Sequence, residues 1–310
     1  MSPLIDRRRF VATVVSASTM PAFARDTVEP IIDIHQHQHY KGRLDKALLA
    51  HQRAMGVTTT VILPSARAFD RVQGDNTKRK DPTRAERAVN EAAVDLVEKY
   101  PKHFVRFANE HPGVPGGLKT IRKYLANGGI GIGESKFKIG SDSPPIEALA
   151  ELAQEFKVPV LMHFQHRAWN MGFEKLPRIL KKFPDVNFIG HAQTWWGHID
   201  KNHDPRVLYP KGPVTAGGLT DTYLREFPNM YADLSAGSGN NSLIRDEKHT
   251  RGFLERHQDK IMFGSDCNDT LGRGPGCTGA RTIAVVRRLS SSKEIERKIL
   301  YRNAHRLLKL

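Results

Sequence analysis

The sequence of 310 residues predicts an α/β fold: a parallel, eight-stranded (β/α)8 barrel of the TIM type. Three observations lead there. Short β-rich runs alternate with helix-patterned segments along the whole chain. No low-complexity linker or composition break divides residues 25–310, so a single domain is expected. The position after the first strand, where an open doubly wound sheet would more usually carry a glycine-rich phosphate turn, holds histidines instead.

The first run, IIDIHQ at 31–36, precedes LDKALLAHQRAMG; TTTVILP at 58–64 precedes RAERAVNEAAVDLVEKYP; FVRFANE at 104–110 precedes GLKTIRKYLANGG. GIGESKF at 131–137 precedes PIEALAELAQEFK, and VPVLMHFQ at 158–165 precedes EKLPRILKKFPD. VNFIGHAQ at 186–193 leads to LTDTYLREFP, and MYADLSA at 230–236 to TRGFLERHQDK. IMFGSDC at 261–267 is the eighth run, followed by two helical stretches around ARTIAVVRRLS and SKEIERKILYRNAHRLLKL. Apolar residues in the helical segments recur at helical spacing, and Gly or Pro punctuates most of their ends.

Composition narrows the class. With 39% hydrophobic and 26% charged residues and a mean hydropathy of -0.48, the chain is neither a disordered tail nor a collagen nor a small disulfide knot. It holds no apolar run of about 18 residues, the length that would span a bilayer.

Residues 1–24 read as a leader. Arg7, Arg8, Arg9 and Phe10 precede the weakly apolar VATVVSASTM and then Ala22-Phe23-Ala24, the order of charged region, apolar region and small-residue cleavage site. The twin arginines resemble a twin-arginine export signal, which implies passage of a folded protein through that export machinery to the periplasm. Cleavage after Ala24 removes three arginines and one aspartate and lowers the net charge only from +15 to +13. The mature chain therefore stays basic. A nucleic-acid partner is disfavoured all the same, because Lys and Arg are dispersed, only Lys78-Arg79-Lys80 forms a tight run, and helix-turn-helix or zinc-finger spacing is absent. An anionic small molecule suits the charge better.

In a barrel of this kind the strand C-termini face the site. The first strand ends Asp33-Ile34-His35-Gln36-His37, and side chains two apart on a strand share a face. The fifth run ends near His163, the sixth near His191, and the eighth at Ser265-Asp266. Imidazoles and a carboxylate gathered there suit Zn2+, with Mn2+, Fe2+ or Co2+ as further possibilities. His39 is in phase with His35 and His37 but past the strand, and is read as a loop residue.

At this point the chain resembles the amidohydrolase superfamily of metal-dependent barrel enzymes, and its amidohydrolase-related group. The resemblance rests on the His-x-His of IIDIHQHQHY, the histidines of LMHFQH and FIGHAQT, the aspartate of MFGSDC and the closing NAHRLLKL. It implies that His35, His37, His163, His191 and Asp266 form the metal centre. It also implies that Asp266 takes the proton of a metal-activated water, while His191 either ligates or stabilises a developing oxyanion. The fourth strand leaves open whether Glu134 is a ligand, or Lys136 a carboxylated ligand or a substrate-binding residue; GIGES looks like the Gly-Glu of TatD-type deoxyribonucleases and favours Glu134. One ion or two is likewise open.

The segment from Thr194 to Gly218 reads as a lid or wall of the pocket, in which Trp195 and Trp196 either stack on a substrate or pack the loop down. Arg273 in LGRGPGC and the nearby Arg281 are candidate holders of a carboxylate or phosphate. Cys267 and Cys277 are read as two buried thiols, or alternatively as a disulfide in an oxidising compartment. Hydrolysis of a small ester, lactone or amide is the expected reaction. The competing readings are a decarboxylase on the same ligands and a TatD-like nuclease or nucleic-acid binder.

Overall fold

A computed structural model describes residues 29–64 and 82–310. The expected leader at 1–24 and the basic run Lys78-Arg79-Lys80 lie outside the described residues.

Eight parallel strands occur in sequence order, each inside its expected run: β1 Ile32–Gln36, β2 Thr59–Ile62, β3 Phe104–Arg106, β4 Ile132–Ser135, β5 Val160–His163, β6 Phe188–His191, β7 Met230–Asp233 and β8 Ile261–Met262. Regular ladders form two arcs, β1 to β3 and β4 to β8. Ala108 and Gly131 join the arcs, with Ala108 N–H donating to Gly131 O at 2.8 Å and Gly133 N–H to Ala108 O at 3.0 Å. The other seam closes where Ile34 N–H donates to Phe263 O at 3.0 Å and Asp266 N–H to His35 O at 2.8 Å. The fold is thus the (β/α)8 barrel, and closure satisfies backbone groups that an open edge would leave bare.

The strands read as near-continuous apolar runs because both faces are covered. Leu161 and His163 of β5 pair with Ile189 and His191 of β6, so one face carries apolar residues along the strands and imidazoles at their ends. Leu161 and Ile189 join Ile32, Ile34, Val61, Leu63, Phe107 and Met262 in one apolar cluster. A larger cluster packs Val160, Met162 and Phe188 against the surrounding helices. The closing Asn-Ala-x-x-Leu sequence has a structural part in this: Asn303, buried, donates from Nδ2 to Ile261 O at 2.8 Å and so ties the last helix, Asn303–Leu308, to β8.

Two short helices were not foreseen. Ala192–Gly197 follows β6 directly, and Ala236–Ile244 follows β7. The first bears on the tryptophans of the Thr194 to Gly218 segment: of their two expected roles, packing the segment onto the barrel is the one found. Trp195 is fully buried, stacked on Phe164 and edge-on to Phe173, and Trp196 is buried with its Nε1–H donating to Asp233 O at 2.9 Å. Gly190 makes this packing possible, since a Cβ there would lie 2.3 Å from the Trp195 ring. Among the described residues, no helix is long and apolar enough to cross a membrane.

Candidate metal centre

At the strand ends β1, β4, β6 and β8 converge. His35 Nε2 lies 3.3 Å from His37 Nε2, and Asp266 Oδ1 is 3.9 Å and 3.7 Å from those two atoms. Glu134 enters from β4, with Oε2 3.3 Å from His37 Nε2 and Oε1 3.5 Å from His191 Nε2. Two overlapping donor groups result: His35, His37 and Asp266 in one, and His35, Glu134 and His191 in the other. His163 stands outside both, making contact through its Nδ1, 2.5 Å from Glu134 Oε1.

Outer contacts orient the rings. His37 Nδ1 lies 2.8 Å from Leu63 O, an acceptor only, so Nδ1 carries the proton and Nε2 presents its lone pair to the centre. His35 Nδ1 is 2.7 Å from Asp233 Oδ2, and His191 Nδ1 is 2.8 Å from Ser235 Oγ. Ser235 in turn donates to Asp233 Oδ2 at 2.7 Å. Gly264 allows this crowding, because a Cβ there would meet Asp233 Oδ1 at 2.3 Å and His35 Cβ at 2.8 Å.

Ala192, Ala236 and Asp266 all have positive φ, at 83°, 63° and 41°. Each lies one to four residues past the C-terminal end of its strand, in a conformation non-glycine residues keep only where surroundings enforce it.

The donor set fits a divalent cation. His191 Nε2 is a buried nitrogen without a hydrogen-bonding partner, and two imidazole nitrogens face one another beside two carboxylates. Without a cation, protonation of His35 is the compensation: burial opposes it, but Asp233, Asp266 and Glu134 outweigh burial and push its pKa up to about 10. Burial would raise the Glu134 carboxyl, yet the His163, His191 and His37 contacts hold it well below the usual range. Burial likewise opposes ionisation of Asp266, and His35 and His37 lower it. His163 moves the other way, burial taking it down to about 4 against the pull of Glu134.

Lys136 is half-buried with Nζ 5.7 Å from the centre of the Trp169 ring, while Glu134 is the fourth-strand residue within the cluster. Arg273 is exposed in the glycine-rich loop. Cys267 and Cys277 are free thiols, 3.6 Å apart, and the disulfide is not formed. A cavity of about 280 Å³ borders Gln165, His166, Arg167 and Thr194, and its Gln165 lies 3.4 Å from His163 Nε2.

Several participants escaped the sequence reading. Tyr40 OH donates to Asp266 Oδ1. Arg43, buried, spans the barrel seam by donating to His37 O at 3.3 Å and to Cys267 O at 3.1 Å. Asp33 Oδ1 accepts from Ser265 N–H at 2.8 Å and from His35 N–H at 3.1 Å. Asp33, Asp233 and Ser235 were all open to the rule that picked out His35 and His37, being two residues from a neighbour at a strand end.

The match of residues 32–310 to the amidohydrolase family model decides the relationship. The chain belongs to the amidohydrolase family. Among solved structures, 2,6-dihydroxybenzoate decarboxylase from Rhizobium aligns over 91% of this chain and 98% of its own, with 17% identity and a TM-score of 0.60. A 5-carboxyvanillate decarboxylase from Novosphingobium aromaticivorans, complexed with manganese, aligns over 85% and 79%, with 14% identity and a TM-score of 0.56. A probable 2-pyrone-4,6-dicarboxylic acid hydrolase from Acinetobacter baumannii, with citric acid bound, aligns over 90% and 99%, with 13% identity and a TM-score of 0.55. At such identities the likeness to these structures speaks for the barrel alone. No curated protein matches the chain.

Proposed function

We propose that this amidohydrolase family member is a metal-dependent hydrolase of a small anionic ester, lactone or amide. The observation that carries the reading is Asp266, whose carboxylate lies against His35 and His37 yet keeps its side chain 16% exposed, so it can meet both a metal ligand and an incoming substrate. His35, His37, Glu134, His191 and Asp266 are the residues to hold one or two divalent cations, Zn2+ first and Mn2+, Fe2+ or Co2+ as alternatives. Such a cation, when bound, supplies Lewis acidity that lowers the pKa of water and polarises a carbonyl oxygen.

The chain's own groups do the rest. Asp266 Oδ1, oriented by the Tyr40 hydroxyl, accepts the proton of the attacking water and returns it to the leaving group. His191 either completes the ligand set or donates to the oxygen on which charge develops. Lys136, Arg167 beside the cavity, and Arg273 are cationic groups for a substrate carboxylate.

Decarboxylation is the second reading, a chemistry carried on the same barrel by two of the similar structures, one of them complexed with manganese. The test has two parts. Metal per chain is measured for the wild type and for His35→Ala; no tightly bound divalent metal in the wild type removes both readings. A substrate panel of esters, lactones, amides and hydroxybenzoates is then scored for hydrolysis and for CO2 release, and CO2 release without hydrolysis selects the second. Export by the twin-arginine route belongs to the same proposal and rests on residues 1–24 alone.

A further inference from the structure

Apart from the barrel centre, a second group of metal-binding side chains is buried under the loop that follows β8. Cys267 comes directly after Asp266, and Cys277 caps the helix Thr278–Leu289. His51 and Met55 lie four residues apart at the end of the helix Asp45–Ala54, a spacing that puts them on one face. Cys267 Sγ is 3.6 Å from Cys277 Sγ, which is itself 3.7 Å from His51 Nε2 and 3.5 Å from Met55 Sδ. All four residues are buried, and His51 Nδ1 has no hydrogen-bonding partner, so the polar contacts of the ring run through Nε2, to Cys277 Sγ and, at 3.9 Å, to Asp269 Oδ2.

We propose that Cys267, Cys277, His51 and Met55 form a second metal site, which takes one thiophilic d10 cation, Zn2+ or Cu+. Metal–sulfur bonds of about 2.3 Å and metal–nitrogen bonds of about 2.0 Å at tetrahedral angles space sulfur from sulfur by about 3.8 Å and sulfur from nitrogen by about 3.5 Å. The Cys267–Cys277 and Cys277–His51 spacings match those edges within a few tenths of an ångström. A disulfide would instead require the sulfurs to close to about 2.05 Å. Two thiolates, an imidazole and a thioether form a soft set, unlike the nitrogen and oxygen donors around Asp266. An ion here joins the first helix to the loop 267–277 immediately beyond Asp266 and is structural in role.

The test uses full-length protein stripped of metal and titrated with Co2+. Binding here produces thiolate-to-cobalt charge-transfer absorption, which the barrel centre has no sulfur to give. The expected result is one equivalent of that absorption, kept in His35→Ala and lost in the double variant Cys267→Ser/Cys277→Ser. Absence of the band in the wild type, or its survival in the double variant, overturns the proposal.

A measurement on the wild type alone covers the case in which the double variant does not fold. One equivalent of Zn2+ or of Cu+ is expected to protect both thiols from alkylation, and Met55→Leu to weaken protection by Cu+ more than by Zn2+. Two thiols that alkylate equally fast with either ion, or a disulfide in the protein as isolated, overturn the proposal.

Discussion

The Nδ1 atom of His35 lies 2.7 Å from the Oδ2 atom of Asp233, and both side chains are completely excluded from solvent. That contact fixes which nitrogen of His35 faces the cluster, and it does so from a different strand. Carboxylates placed behind a ligating imidazole set its orientation and raise its basicity. Asp233→Asn keeps the shape and removes the charge, so metal affinity is expected to fall by about 10- to 100-fold with the fold retained. Chelator competition on the purified variant, beside its circular dichroism, checks this; unchanged affinity would show that Asp233 has no part in the centre.

Asp266→Asn separates proton transfer from metal binding. With the other donors in place, the variant is expected to keep most of its metal and to lose turnover by a factor of about 100 to 10,000. Steady-state kinetics and metal analysis on one preparation decide it, and a fully active variant would falsify the assignment. Tyr40→Phe, which removes the hydroxyl that donates to Asp266, should lower kcat more than it raises KM.

The tryptophans give a contrast in stability. Trp195→Ala empties a fully buried ring site and should cost about 3 to 5 kcal/mol. Trp196→Phe keeps an aromatic ring, shortens the side chain and leaves Asp233 O without its donor, for a loss of about 1 to 3 kcal/mol. Denaturant titration reads both values. If either variant instead raised KM strongly at unchanged stability, the tryptophans would belong to the substrate pocket after all.

Acid sensitivity should appear away from the centre. His257 hydrogen-bonds Asp221 and, with Arg256 nearby, holds its carboxyl down to about 2 against the effect of burial. The unfolded chain therefore takes up a proton at higher pH than the native one, so this pair stabilises fully above about pH 4 and loses its effect as pH falls toward 2. Allowing for solvent screening, the contribution is about 1 kcal/mol. Asp221→Asn should flatten the melting temperature between pH 4 and pH 2; a wild-type slope left intact in the variant would place the titration elsewhere.

For the proposed leader, Arg7→Lys together with Arg8→Lys is expected to keep the protein inside a bacterial host, and the unaltered sequence is expected to yield periplasmic protein shortened after Ala24. Fractionation and the mass of the product decide between them.

All eight strands and most of the helices were legible in the sequence, because short β-rich runs alternate with segments whose apolar residues recur at helical spacing. AGSGNNSLI at 236–244 was not, since Gly, Ser and Asn carry no helical stripe and the segment is held by its neighbours. AQTWWG was not legible as a helix, because two adjacent aromatics before a long irregular stretch fit a pocket wall as well as a packed turn, and only the glycine at 190 hints that a ring packs against the strand. At the site, histidines stand out by type. Asp233 and Ser235 did not, although their two-residue spacing at the end of β7 follows the pattern of His35 and His37. Tyr40 and Arg43 act from beyond β1, where spacing in the chain no longer reports position.

Asp233 contacts His35 directly and reaches His191 through Ser235, so histidines from two strands share one support. Neither ring can be refitted without disturbing the other. Heritable change in what such a barrel acts upon is thereby steered outward, to exposed stretches such as 273–276, where altering one residue leaves the shared support untouched.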